Sequence, residues 1–378
     1  MAERPISPPT DRPANAIGAL RLLFASLVIV SHSFEMVDGG DKREPLVAIF
    51  HTFSLGTLAV DAFFLISGYL ITASFVSSAN LVDYFRKRIL RIYPAFIVSS
   101  LLCVFVVAPL GGAAMNVLGA SDWARLGYRL LMLKSPEVPG AFTGLGSPAL
   151  NGSAWSISYE FRCYILVALL GVIGLYRRPK IFVALTIAVL AASIALAWPD
   201  AGFQVPGWVE GAVGDPTQDA RLISTFMIGA CFWLFRKSIP LDGRYAAVAA
   251  ALLCPLMFSR HFAEPALVLL GGYVLFWVSF KARWRPLLTI NAKQDISYGT
   301  YLYAWPIGIV MVWYWRTIPA PALILLATIG AMILGTVSWY AVERPALRWK
   351  PKGKRQELAE GTPHVAATPN APVLRQRA

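Results

Sequence analysis

The sequence is poor in charge. Asp, Glu, Lys and Arg make up 15% of its 378 residues, against ~25% in ordinary globular chains. That shortage excludes a water-facing surface over most of the chain. Acidic residues are scarcer than basic ones, 21 against 34, which leaves a formal net charge of +13. The excess does not describe a nucleic-acid binder, because the basic residues sit in short segments between apolar runs and form no stripe. Cysteine is scarce as well. Cys103, Cys163, Cys231 and Cys254 all lie inside apolar runs and lack CxxC or CxxH spacing, so neither a disulfide framework nor a metal site is expected. No repeat of fixed period is present. The first residues, with Glu3, Arg4, Asp11 and Arg12, are a mixed-charge tail rather than a signal-peptide head, and no small-residue cleavage site follows the first apolar run.

What the chain has in abundance is apolar surface. Hydrophobic residues reach 57%, with 12 Trp and 21 Phe, and the mean hydropathy is +0.58. A helix needs about 20 apolar residues to cross ~30 Å of hydrocarbon. Runs of that kind fall at about 15–36, 46–76, 85–110, 153–175, 181–198, 219–236, 244–259, 262–280, 295–316 and 319–343. The expected fold is therefore an all-α, polytopic membrane bundle of about ten transmembrane helices. Residues 1–14 read as a cytoplasmic tail, 15–345 as the membrane domain, and 346–378 as a basic, largely disordered cytoplasmic tail.

Lys and Arg give the orientation. Arg86-Lys87-Arg88 with Arg91, Arg177-Arg178-Pro179-Lys180, and the run from Arg344 to Arg355 would lie on the inner side. Outer segments would hold only Lys42, Arg43, Arg125, Arg129, Lys134, Arg260 and Arg316, while the outer loop 199–218 has Asp200, Glu210 and Asp215 but no Lys or Arg. Both termini then face the cytoplasm. The long outer loop 111–152 contains an amphipathic stretch, Asp122 to Leu131, suited to a helix lying in the outer interface.

Ionisable groups inside spans are costly and mark candidate sites. Arg21 and His32 are 11 residues apart on the first span, which places them on one helix face, ~16 Å apart along the axis. Glu35, three residues past His32, is within reach of its imidazole N–H. Asp61 falls near the middle of the second span and needs a cationic partner; Arg21 is the expected one. Ser67-Gly68 is a small-residue pair that admits a neighbouring backbone or a thin ligand. Arg88 and Arg91, one turn apart with Arg86 close by, suit bidentate contact with phosphate, although anchoring by the positive-inside bias explains them too. Glu160 lies about 9 Å inside the fourth span, at a depth similar to His32, as a shared site would need; Tyr164 is one turn further on. The ninth span opens with Asp295, Ser297 and Tyr298 and contains Pro306, which should bend it and free a carbonyl. Glu343 ends the tenth span.

These pieces together resemble the type 3 acyltransferase family of integral membrane O-acyltransferases. The matching residues are Arg21-x10-His32, Val60 to Tyr69, Phe85 to Pro94, Trp155 to Glu160, Ser297-Tyr298 to Trp305-Pro306, and Glu343-x-Pro345. They occur in family order over about 15 to 345. The resemblance implies a bundle of ten or so spans that moves an acyl group, usually acetyl, from cytoplasmic coenzyme A thioester to a sugar hydroxyl. No resident cofactor is implied, acyl-CoA being a co-substrate. The partners would be acyl-CoA, a glycan or lipid-linked sugar, and membrane lipid, with no nucleic acid and an inner-membrane location. It further implies that His32 is the catalytic histidine, that Arg21 is its partner on the donor path, and that Arg86 to Arg91 hold the coenzyme A end. Ala59 departs from the family's usual Gly, and Tyr303-Ala304 stands where many members have Trp-His. No C-terminal SGNH-type hydrolase domain is expected.

On this reading His32 is a general base on the acceptor hydroxyl, with Glu35 or Glu160 orienting its ring. Asp61, Ser67 and Tyr298 join Arg21 on the acyl-CoA path. Ser156, Tyr164 or Tyr298 would face the thioester oxyanion. The rival reading is a transporter or exporter of a glycan or lipid precursor, which would need a polar path but neither an Arg cluster for coenzyme A nor one indispensable histidine.

Overall fold

The computed structural model describes residues 15–198 and 214–349. The expected N-terminal tail, most of the C-terminal tail, and the acidic centre of the loop 199–218 lie outside the described residues. Among those described, every regular element is helical and there is no strand.

The apolar runs become ten main helices. They are α1 (Ile17–Asp38), α2 (Leu55–Ser77), α3 (Leu81–Leu110), α4 (Gly152–Val172), α5 (Pro179–Leu196), α6 (Pro216–Leu234), α7 (Gly243–Leu256), α8 (Ala263–Lys281), α9 (Ser297–Tyr314) and α10 (Ala320–Leu347). Seven of these, α1 to α5 with α8 and α10, are long and apolar enough to cross a membrane by length and composition. Helix α7 is shorter, α6 begins with Gln218, Asp219 and Arg221, and α9 is diluted by Tyr, Gly and Pro.

Local chemistry sets several boundaries. The expected run 46–76 is two pieces, because the buried Glu44 carboxylate accepts backbone N–H bonds from Leu46, Val47 and Leu55 at 2.9, 3.0 and 2.7 Å. A short helix, Pro45–Phe50, therefore ends at His51, whose φ is +59°. Ser54 then caps α2 by accepting from the Thr57 N–H at 3.1 Å. Asn80 caps α3 in the same way at Asp83, which starts that helix earlier than the apolar run alone suggested. Single π turns interrupt α3 at Cys103–Val107, α8 at Leu267–Gly271 and α10 at Trp339–Glu343. The amphipathic stretch of the long loop is a helix, Ala120–Leu131. It stacks Trp123 on Phe105 of α3 and donates from Arg129 to the Ser135 carbonyl at 2.6 Å.

Close packing fixes which helices are neighbours. Helix α2 lies against α6 with backbones nearly touching: a Cβ on Gly68 would stand 2.0 Å from the Phe226 carbonyl oxygen, and one on Gly229 would stand 2.1 Å from that of Leu65. Only glycine fits at those two crossings. Helix α1 packs on α2, α9 and α10. Arg21 meets Asp295 and His32 meets Trp305 further along the same helix, so α1 and α9 run parallel. The core cluster at the centre joins Leu20, Phe24, Phe64, Phe96, Ile157, Phe226 and Leu302 from six helices.

Candidate functional site

Two polar clusters flank the face that α1 turns toward α9. The first surrounds Arg21. Its guanidinium pairs with Asp295, in the turn ahead of α9. Asp295 also accepts from Arg91 of α3 at 2.5 Å, and Arg91 reaches Glu343 of α10 at 3.2 Å. Ser297 and Asn291 add donors to the second Asp295 oxygen at 2.5 and 3.2 Å. Burial by itself would raise the Asp295 carboxyl, but the two guanidiniums outweigh it and hold the group well below the usual carboxylate range. Two arginines and two carboxylates from four parts of the chain thus form one neutral knot.

Beside this knot is a narrow cavity of ≈ 40 Å³, enough for a few waters. Arg21, Ser67, Ser156, Glu160, Tyr298 and Tyr301 contribute to its walls, with Phe63 and Phe64 on the apolar side. Glu160 Oε1 accepts from both Ser67 Oγ and Tyr164 OH at 2.7 Å. Tyr298 donates to the Ile92 carbonyl at 3.1 Å, and the Arg91 guanidinium lies over its ring. Arg88 lies over the Tyr164 ring and donates to Ser74 Oγ at 3.3 Å. Its Nε is buried without a hydrogen-bond partner among the described residues.

The second cluster surrounds His32. Its Nδ1 stands 3.0 Å from Glu35 Oε2. A carboxylate can only accept, so Nδ1 carries a proton, and in the neutral imidazole Nε2 then keeps its lone pair. Ser147, from the loop before α4, donates to the other Glu35 oxygen at 3.3 Å. The ring meets the Trp305 indole edge-on, with centroids 4.8 Å apart. Glu35 and Trp305 thereby fix both the tautomer and the tilt of the imidazole.

The structure therefore gathers Arg21, Ser67, Glu160, Tyr298 and Arg91 at one cluster, and His32 with Glu35 at the other. Three expectations need correction. Asp61 does not pair with Arg21: it receives Arg221 Nη1 at 2.6 Å, and Arg221 Nε lies 3.5 Å from Glu264 of α8. The glycine contacts between α2 and α6 put these two side chains together, while Asp295 takes Arg21. Glu160 does not orient His32, because its hydrogen bonds run to Ser67 and Tyr164 in the Arg21 cavity; Glu35 takes that place. Arg91 is not presented to an open surface, being tied between Asp295 and Glu343. Arg88 keeps an unsatisfied donor and Arg86 is exposed.

Asp295, Glu343, Arg221, Ser147 and Trp305 were not assigned to a site from sequence. Asp295 and Glu343 looked like helix-end residues. The available signal was arithmetic: three intramembrane arginines beyond the inner clusters, Arg21, Arg162 and Arg221, needed more carboxylates than Asp61 and Glu160 supply. Arg162 takes Asp219 at 2.7 Å.

Comparison with known proteins gives the remaining facts. An acyltransferase domain family matches residues 15–341. An O-acetyl transferase of Shigella phage Sf6 is 27% identical over 90% of this chain and 98% of its own length. Nodulation protein 10 of Rhizobium leguminosarum bv. viciae is also 27% identical, over 88% of this chain and 93% of its own. A putative peptidoglycan O-acetyltransferase of Bacillus subtilis, YrhL, is 26% identical over 77% of this chain and 50% of its own length. No solved structure matches.

Proposed function

Because the chain belongs to this acyltransferase domain family, we propose that it is a membrane O-acyltransferase carrying an acyl group, acetyl foremost, from acyl-CoA on the cytoplasmic side to a hydroxyl of an extracytoplasmic or lipid-linked glycan. The Lys/Arg bias supports both termini being cytoplasmic and an inner-membrane location. The acetyl group and the glycan acceptor are supported by the names of the relatives, among them O-acetyl transferase and peptidoglycan O-acetyltransferase.

One observation carries the reading. The same face of α1 presents Arg21 beside a polar cavity and, 11 residues on, a histidine whose Nε2 is left free by a carboxylate on Nδ1. In the proposed reaction the coenzyme A phosphates lie by Arg86 and Arg88, and the uncharged pantetheine arm passes Arg21. His32 Nε2 takes the proton of the acceptor hydroxyl as its oxygen attacks the thioester carbonyl. A C–O bond forms and the C–S bond breaks. The proton held on Nε2 passes to the departing thiolate, leaving an ester, free coenzyme A and a neutral imidazole. Glu35 stabilises the transient imidazolium and holds the ring. Ser156 and Tyr301 stand in the cavity wall, with Ser156 Oγ 2.8 Å from Tyr301 OH, whose own proton goes to the Ser153 carbonyl.

Reconstitution of the purified protein in liposomes with isotopically labelled acetyl-CoA tests this reading. Label should leave coenzyme A and appear as an alkali-labile ester on added glycan or lipid-linked sugar. Acceptor crossing the bilayer with no ester formed would identify a transporter instead.

A further inference from the structure

Residues 147–153, the connection into α4 and that helix's opening 3-10 turn, form a strap that runs antiparallel to α9, and three of its residues bond that helix in order. The Ala149 carbonyl accepts from Trp305 Nε1 at 2.7 Å. Asn151 Nδ2 donates to the Leu302 carbonyl at 2.9 Å. The Ser153 carbonyl accepts from Tyr301 OH. A Cβ on Gly152 would stand 2.5 Å from the Trp305 ring, so the strap lies directly on the indole that contacts His32. At its start, Ser147 reaches Glu35.

The middle contact has a specific cause. Leu302 is four residues before Pro306, which has no N–H, so the Leu302 carbonyl lacks its helical donor. It is buried, and an unmet carbonyl there is costly. Asn151, 2% exposed, supplies the missing donor, with Ser99 Oγ at 3.5 Å as a weaker second. The bond fixes the strap's position along α9 at the turn where Pro306 leaves an acceptor.

We infer that Asn151 is a positioning residue for acyl transfer: by bonding the carbonyl that Pro306 leaves open, it sets the strap whose Ser147 and Trp305 contacts hold Glu35 and His32 in line. The inference rests on the acyltransferase reading given above. Asn151 touches no reacting atom. Its effect runs through the strap to the Glu35 carboxylate and through Trp305 to the imidazole ring.

The test uses Asn151→Asp, which keeps the shape and removes the N–H donor, with Asn151→Ala beside it, in the full-length protein in nanodiscs. Both should lower kcat by about 10- to 100-fold, the scale of a displacement on the order of 1 Å at a reacting group, with KM for acetyl-CoA within about twofold of the parent. The acidic limb of the pH–kcat profile should move, because the Glu35 contact to His32 loosens. Hydrogen exchange should rise over 147–153. Pro306→Ala, placed in the Asn151→Ala background, returns a helical N–H to Leu302. It should recover thermal stability without recovering kcat, since the strap stays unanchored. Recovery of kcat together with stability would make Asn151 a purely structural residue, and so would an unmoved pH profile. Unchanged exchange over 147–153 would refute the anchoring itself. If the parent protein forms no ester, the acyltransferase reading has failed before any substitution and the positioning role goes with it; the exchange data then decide the anchoring alone.

Discussion

Arg21 and Asp295, 274 residues apart in sequence, form an ion pair that joins the N-terminal part of α1 to the entry of α9. Asp295 holds Arg91 as well, so one carboxylate restrains two partly buried cations. Removing it should cost about 3–5 kcal/mol, as for other broken buried pairs. Asp295→Asn is therefore expected to lower the melting temperature markedly. The sign with pH follows from the depressed carboxyl: its contribution is complete above the unfolded carboxylate pKa and is lost as pH falls through the lower folded value. The parent–variant difference should stay constant through neutral pH and shrink only in acid. A difference that vanished near neutrality would contradict the pairing.

His32→Ala should abolish ester formation through kcat, by about 10²- to 10⁴-fold, with acyl-CoA binding retained. His32→Gln, which preserves volume and a hydrogen bond, should be equally inactive. Activity in the Gln variant at equal membrane abundance would remove His32 from the chemistry.

Glu35 and Glu160, the two carboxylates whose spacing could serve His32, make separate forecasts. Glu35→Gln should shift the pH–rate profile, because the charge beside Nδ1 is lost. Glu160→Gln should lower activity while leaving that limb of the profile in place, since Glu160 bonds Ser67 and Tyr164 and not the imidazole. Identical profile shifts in both variants would return Glu160 to the histidine.

Among the arginines of α3, substitution should divide two kinds of defect. Arg88→Gln is expected to raise KM for acyl-CoA with a smaller effect on kcat, as loss of uniform binding does. Arg91→Gln should mainly destabilise, because it leaves Glu343, 2% exposed, without its cation. A pure KM defect in Arg91→Gln, at parental stability, would restore it to the phosphate site.

Asp61 and Arg221 form the other buried pair. Either Asp61→Leu or Arg221→Met alone should be destabilising by about 3–5 kcal/mol, and the double variant by less, because the buried carboxylate and its guanidinium leave together and only the more exposed Glu264 loses a partner. Additive losses in the thermal stability of the three variants would show that the two groups do not interact.

The sequence by itself determined the helical character of this protein. Apolar runs long enough to span hydrocarbon leave the backbone no other way to satisfy its hydrogen bonds, and α1 through α10 fall on those runs. It also brought within reach two pairings that lie within one turn of a helix, His32 with Glu35 and Tyr164 with Glu160, although spacing alone left Glu35 and Glu160 as alternatives for the imidazole. Pairings between helices were decided by the tertiary structure. Asp61 and Arg221 are 160 residues apart, and nothing in the spacing of either helix selects the other. Their meeting depends on Gly68 and Gly229 allowing two backbones to approach where any Cβ would collide. In the same way, Asp295 read locally as a helix-end residue, and became the anchor of Arg21 and Arg91 only when α1, α3 and α9 closed around it. Periodicity states which face a residue occupies; the identity of the opposing face is a property of packing, and that is where the carboxylate for each buried arginine was chosen.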